Sequence, residues 1–448
     1  MALALSPAGP TPDPTFQELV AARPWLMMDP LAGLLAEEVP LVRIAAAVGT
    51  PAWVYSATTL RERTRELRRA LAEAGLRAKL HFAVKANPNL AVLSLLAAEG
   101  CGADVVSEGE LRAARAAGIP AGDIVFSGVG KTPRELTLAL AEGIGQINLE
   151  SVEEAEVLSG IAASLGRQVP VALRVNPDVD PRTHAKITTG RSENKFGVDI
   201  ALAPEAYAKL ASLPGLTPVG LAVHIGSQIT SGVAAFQAAY RRLGELVVLL
   251  RAKGLPVQRV DCGGGLGISY RDEAPASAAA LAGAIRAGLG RLDVEIMVEP
   301  GRWIAGPAGL LLAAVVLQKQ GLQRRFVVLD AGMNDLARPA MYDAWHGILP
   351  VAPSHFTAPV SPADVVGPVC ESSDTFARNR ALPQLAPGSL VVLLDAGAYG
   401  VSMSSTYNAR PLAPEVLVEG ARFAVVRERQ GYDALLSGQH VPPWVNRS

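Results

Sequence analysis

The sequence predicts an α/β protein with an all-β domain attached: a (β/α)8 barrel followed by a separate β domain. Three observations carry this. Between residues 79 and 300, eight short apolar runs alternate with stretches of helical periodicity. Many of those helical stretches end in Gly, a common helix stop. Beyond residue 320 the helical periodicity fades, and strand-like runs are joined by Pro- and Gly-rich connections. An open doubly wound sheet remains the structural alternative, because periodicity alone does not close a barrel.

The elements follow in order. The first fifteen residues, "MALALSPAGPTPDPT", lack a basic n-region and are broken by prolines, so they read as a loose tail and not as a signal peptide. The run "AWVYS" (52–56) is a candidate strand that pairs with the C-terminal domain. The eight barrel runs are "HFAVK" (81–85), "ADVVS" (103–107), "IVFSG" (124–128), "QINLE" (146–150), "VALRV" (171–175), "LAVHI" (221–225), "RVDCG" (259–263) and "EIMVE" (295–299). Helix candidates such as "NLAVLSLLAAEG" and "EGELRAARAAG" lie between them. Later come "RRFVVLDAG", "GSLVVLLDAGAYG" and "EVLVEGARFAVVRER", with a loop expected over residues 350–364. The expected division is an N-terminal segment over 1–59 that contributes to the β domain, a barrel over 60–315 and a β domain over 316–448.

Composition narrows the function. A chain of 448 residues exceeds one ordinary domain, which agrees with two cores. A net charge of −1 offers nothing to hold nucleic acid or a membrane surface by charge. Three cysteines, Cys101, Cys262 and Cys370, make no disulfide framework and fit a reducing cytoplasm. The run "GLLLAAVVLQ" is too short to span a bilayer.

The chemistry-bearing residues fall where a barrel puts its active site, at the C-terminal ends of the strands. Strand one ends in Lys85, strand six carries His224, strand seven runs into Gly263-Gly264-Gly265, and strand eight ends Glu299-Pro300-Gly301-Arg302. Taken singly, His224 reads equally well as a core histidine and the glycines as a tight turn. Taken together, four chemically distinct groups at equivalent positions indicate one mouth. Glycines let backbone N–H groups approach a phosphate, and barrels place phosphates after strands seven and eight. A lysine, a phosphate cradle and a carboxylate on one rim suggest pyridoxal phosphate. Lys85 would attach it, since a desolvated lysine has a lowered pKa and becomes nucleophilic. Glu299 would pair with the pyridine nitrogen and His224 would stack on the ring.

Seven motifs then carry a family resemblance: "FAVKAN", "HIGSQ", "CGGGLGI", "EPGR", "AGMNDLARPAMYDAWH", "GPVCESSD" and "DAGAYG". The chain resembles the diaminopimelate decarboxylases, pyridoxal-phosphate enzymes of the alanine-racemase-like fold type, from about Val39 to its last strands. The resemblance implies a β-sandwich-like second domain and a head-to-tail homodimer with active sites at the subunit interface. It also implies decarboxylation of meso-2,6-diaminopimelate to L-lysine, the last step of lysine biosynthesis. Carried over by residue, Lys85 holds the cofactor, with Asp104 nearby. Ser227, the glycines from Gly263 to Gly265 and the segment from Glu299 through Gly301 to Arg302 hold its phosphate and ring. Arg302, Arg338 and Tyr342 bind the substrate's far carboxylate, and Glu371 binds the far ammonium. Tyr399 contacts cofactor and substrate, and Cys370 from the partner subunit donates the proton. Residues 184–197 form the specificity loop. No metal is implied. "CESSD" departs from the commoner "CESGD" at Ser373, in a turn and without evident effect on the chemistry.

Paired arginines suit a carboxylate bidentately, and a carboxylate suits an ammonium. Arg338 and Tyr342, four apart, could also merely share a helical face, and Cys370 could be an inert thiol. Alanine racemases place an arginine at the pyridine nitrogen, against Glu299 here. Ornithine-type decarboxylases show Cys-Asp where this chain has Cys370-Glu371. The nearer alternative is a relative acting on another D-diamino acid or a carrier-bound amino acid. The non-enzyme alternative is a pyridoxal-phosphate homeostasis protein, which would have the barrel alone.

Overall fold

The structure is a computed structural model that describes residues 13–180 and 195–445. Its barrel strands are Ala78–Ala83, Gly102–Val105, Ile124–Phe126, Gln146–Leu149, Val169–Asn176, Leu216–Ala222, Arg259–Asp261 and Glu295–Val298. All eight overlap the apolar runs of the sequence, though Lys85 and His224 fall just past the ends of their strands. Each runs parallel to the next. The last pairs with the first (Ile296↔Ala78, Val298↔Leu80), so the sheet is closed and the open alternative falls away.

Helices follow the strands because their starts are encoded locally. Asn89 caps Leu90–Ala98, Ser107 caps Glu108–Ala116, and Ser151 caps Val152–Ser164, each side-chain oxygen accepting a backbone N–H of the first turn. Thr132 and Glu135 form a reciprocal capping box ahead of Pro133–Glu142.

The β domain is built around the long strand Gly309–Gln320. One edge of that strand pairs antiparallel with Ala52–Ser56, which in turn pairs parallel with Glu415–Glu419. Elsewhere it pairs with Arg325–Leu329 and Leu390–Leu393. "AWVYS" thus sits in the C-terminal sheet, as expected. The strand Gly309–Gln320 runs across residue 315, where the sequence reading ends the barrel. One hydrophobic cluster fills the barrel and the adjoining face of the β domain. A second joins Trp25, Leu34, Val54, Leu310 and Val416. Among the described residues no helix is long and apolar enough to cross a membrane.

Two expectations need correction. Residues 13–15 are not a loose tail. Asp13 pairs with Arg271 at 3.2 Å and with Arg380 at 3.1 Å, and accepts from the Trp345 indole at 3.3 Å. Thr15 caps the helix Phe16–Ala21 through a capping box with Glu18. A compositional reading could not see partners more than 250 residues away. Within the loop expected at 350–364, residues from Ser361 onward belong to the strand Ser361–Val366, which hydrogen-bonds to its neighbours on both sides.

Candidate active site

The barrel's C-terminal mouth and the β domain enclose a cavity of about 540 Å³ lined by Lys85, His224, Ser227, Tyr270, Arg302, Arg338, Tyr342 and Tyr399, among others. A narrow recess continues from it past Gly264, Gly265, Glu299 and Gly301. The structure therefore brings most of the residues singled out in the sequence onto one space.

Lys85 lies just past the end of the first barrel strand, in the tight turn Val84–Ala86. That turn is clamped from the β domain: Asn87 donates to Gly397 O at 3.1 Å, and Tyr399 N donates to Ala86 O at 2.8 Å. The ammonium donates to Asp104 Oδ2 at 2.9 Å. Asp104 is fully buried, while the Lys85 side chain keeps 35% of its surface accessible. The expected depression of the lysine pKa is not found. Burial alone would lower it, but Asp104, with Glu299 and Tyr399, outweighs burial and raises it above the ordinary lysine range. Desolvation acts alone only where no counter-charge sits beside the amine. Here the ion pair with Asp104 offsets the cost of placing a lysine in the mouth.

Glu299 is 7% exposed, and its Oε1 has no hydrogen-bond partner among the described residues. Burial, then the charges of Asp104 and Asp261, push its carboxyl well above the usual carboxylate range. His224 is pushed the other way, well below the usual histidine range, by burial and by the positive charges of Arg174 and Lys85. It is a neutral imidazole whose Nδ1 accepts the Gly264 N–H at 3.3 Å.

The glycine run serves close packing. Gly263, at φ +64°, would place a Cβ 2.2 Å from Val223 O, and a Cβ on Gly264 would fall 2.3 Å from Glu299 O. Strand seven's exit is thus pressed between the exits of strands six and eight, and only glycine fits. The Gly263 N–H is held by Asp261 Oδ1 at 2.9 Å.

Two arginines form the far wall. Arg302, 8% exposed, donates to Tyr270 OH at 2.7 Å and to Ser227 Oγ at 3.2 Å. Its guanidinium lies 4.7 Å from the Tyr399 ring centroid. Arg338, 5% exposed, shares the short helix Arg338–Tyr342 with Tyr342, and both line the cavity. Arg338 Nη1 bonds His346 Nε2 at 2.8 Å. Both arginines leave the Nε–H buried and without a partner among the described residues. Two buried guanidiniums on one cavity wall, neither ion-paired with a carboxylate among the described residues, suit an anionic ligand.

Cys370 and Glu371 are exposed and do not line this cavity from their own chain. The Cys370 N–H is held by Asn408 Oδ1 at 2.8 Å. Of the expected specificity loop, residues 184–194 lie outside the described residues; Phe196 packs under the Arg174 guanidinium at 4.8 Å. The sequence reading missed Tyr270 and His346. His346 ends the motif over 331–346 and Tyr270 lies two residues past "CGGGLGI", and nothing but the geometry distinguishes them from core.

The pattern described as "Pyridoxal-dependent decarboxylase, pyridoxal binding domain" matches residues 57–306. The diaminopimelate decarboxylase of Zymomonas mobilis is 48% identical over 415 residues, covering 92% of this chain and 98% of its own. That of Pseudomonas aeruginosa is 46% identical over 412 residues, covering 92% and 98%. The crystal structure of diaminopimelate decarboxylase from Helicobacter pylori complexed with L-lysine superposes with a TM-score of 0.85 at 38% identity. It covers 88% of this chain and 98% of that one.

Proposed function

The chain belongs to the diaminopimelate decarboxylases, and on that premise we propose a division of labour among its residues. It is a carboxy-lyase that removes one carboxylate of meso-2,6-diaminopimelate as CO2 and leaves L-lysine.

The site fits pyridoxal phosphate: a lysine in the barrel mouth, a buried carboxyl with an unmet oxygen and a neutral imidazole share one space. When bound, that group supplies an electron sink for the charge left at Cα by departing CO2. Lys85 would hold it, and must first give up the proton that Asp104 stabilises. Glu299, whose carboxyl burial and two neighbouring carboxylates push well above the usual range, would pair with the ring nitrogen. His224, already neutral, offers an aromatic face without a competing positive charge. Ser227, Gly264, Gly265 and Gly301 border the recess that would take the phosphate, and Tyr399 closes it from the β domain.

At the other end, Arg302 and Arg338 would turn their guanidinium charge on the substrate's far carboxylate, with Tyr342 beside them. That pair of buried guanidiniums on one wall, neither ion-paired with a carboxylate among the described residues, is the observation that carries the substrate assignment. Glu371 would bind the far ammonium and Cys370 would protonate Cα. Neither reaches the cavity of its own chain, so both would come from a second copy, in a homodimer with shared sites. Three unpaired cysteines suit a reducing cytoplasm as its compartment.

The test is CO2 release by the holoenzyme from meso-diaminopimelate, D-lysine, D-ornithine and L-ornithine, together with borohydride reduction and peptide mapping. The expected result is a strong preference for meso-diaminopimelate and one labelled peptide, containing Lys85. Faster release from D-lysine or D-ornithine would shift the substrate to that class, and a label elsewhere would move the cofactor's attachment.

A further inference from the structure

Arg302 and Arg338 are like charges, both buried, and among the described residues no carboxylate is ion-paired with either. Left alone, such groups repel each other and rotate toward water or toward the nearest acid. One side chain stands between them. The Tyr270 hydroxyl accepts from Arg302 Nη1 at 2.7 Å. The Arg338 guanidinium lies 4.5 Å from the centroid of the same ring. The ring edge meets His346 at 5.3 Å and 78°, and His346 in turn bonds Arg338 Nη1. Its other nitrogen, Nδ1, bonds Leu394 O at 2.6 Å. That leaves Nε2 as the acceptor for Arg338.

We propose that Tyr270, with His346 behind it, is a positioning residue that aims both guanidiniums at a single carboxylate of the substrate. An acid at position 270 would hold the arginines more tightly, but would cancel one of their two charges and weaken the attraction for the substrate. A phenol and a neutral imidazole hold them with one hydrogen bond each and a π face, and leave the positive charge unspent. Tyr270 can act this way because its own main chain is fixed. Its N–H donates to Glu273 Oε2 at 2.9 Å, and its carbonyl accepts from Arg23 Nη2 at 3.4 Å. With 4% exposure the ring has little room to swing away.

The inference rests on the reading of Arg302 and Arg338 as the far-carboxylate clamp, and the test separates the two. Holoenzymes carrying Tyr270→Phe, Tyr270→Glu or Arg338→Ala are compared with the parent. The measurements are KM and kcat for meso-diaminopimelate, and the inhibition constant of D-lysine, which has no far carboxylate. The cofactor absorbance and Tm are recorded for each variant. Tyr270→Phe should raise KM roughly tenfold or more, the size of one lost hydrogen bond to a charged group, while kcat falls by less than KM rises. D-lysine inhibition, absorbance and Tm should stay as in the parent. Tyr270→Glu should raise KM further, by cancelling one of the pair's two charges. If Arg338→Ala raises KM but Tyr270→Phe does not, the clamp stands and the role of Tyr270 is overturned. Equal losses for D-lysine and meso-diaminopimelate in Tyr270→Phe overturn it too. If Arg338→Ala leaves KM unchanged, the clamp itself is wrong and the inference falls with it.

Discussion

Asp104 serves neighbours with opposite demands. Its charge stabilises the Lys85 ammonium and at the same time raises the carboxyls of Glu299 and Glu110. Glu110 is the measurable one. Burial first, then Asp104, push it up to about 7, although the Val106 N–H it accepts at 2.9 Å pulls the other way. A carboxyl whose folded pKa lies above its ordinary value of ~4.3 favours folding while protonated. That contribution is complete below the unfolded pKa and is lost as pH rises through about 7. Glu110→Gln keeps an acceptor for Val106 and never ionises. Its Tm relative to the parent should therefore climb between pH 5 and pH 8; a constant difference across that range would show that Glu110 is not held near neutrality. At this scale the sequence revealed Lys85, His224, Glu299 and Arg302, because a polar residue ending or following an apolar strand stands out. It did not reveal that Lys85 is kept charged, because the partner lies 19 residues away, on the next strand. Tyr270 and His346 stayed hidden for the opposite reason: aromatic side chains amid apolar ones read as core.

Among the elements, the eight barrel strands were legible because a buried parallel strand is a continuous apolar run. The helix Phe16–Ala21 was not. It is a short amphipathic piece in a proline-rich region, docked by Leu19 and by the tether that follows it. The Arg23 guanidinium bonds both oxygens of Asp395 and the Leu19 carbonyl, with the two partners 6% and 2% exposed. Removing one member of a buried pair strands the other charge at a cost of about 3–5 kcal/mol. Arg23→Met should lower the denaturant midpoint accordingly, and Arg23→Met/Asp395→Leu should recover much of the loss. A single variant as stable as the parent would mean that the segment is laid on the surface without supporting it.

Across the molecule, two of the residues the family resemblance implies for the active site lie apart from the rest. Cys370 and Glu371 sit on an exposed turn of the β domain, away from the cavity that holds Lys85. Nothing in residue order hints at this separation, since chain distance does not say which copy a loop serves. Lys85→Ala and Cys370→Ala homodimers should each be nearly inactive. A mixture that exchanges subunits should regain activity, because some heterodimers carry one site with both residues intact. Verified exchange without recovery would place Cys370 in its own chain's reaction or outside it altogether.

The strand Ala52–Ser56 is made early and completed late. One neighbour, Gly309–Gln320, follows the whole barrel, and the Tyr55 hydroxyl finds its acceptor on Glu415, 360 residues further on. At a synthesis rate of ~5–20 residues per second, roughly 20–70 s separate the two ends of that contact on the ribosome. Once the barrel's last strand, Glu295–Val298, is made, the barrel can close on itself, while "AWVYS" still waits for Glu415–Glu419 along one edge. The nascent chain therefore passes through a state with a finished barrel and an exposed sticky strand. Chaperones that shield such segments would act on it there, and a ribosome stalled before residue 415 would release a product prone to aggregate through this strand.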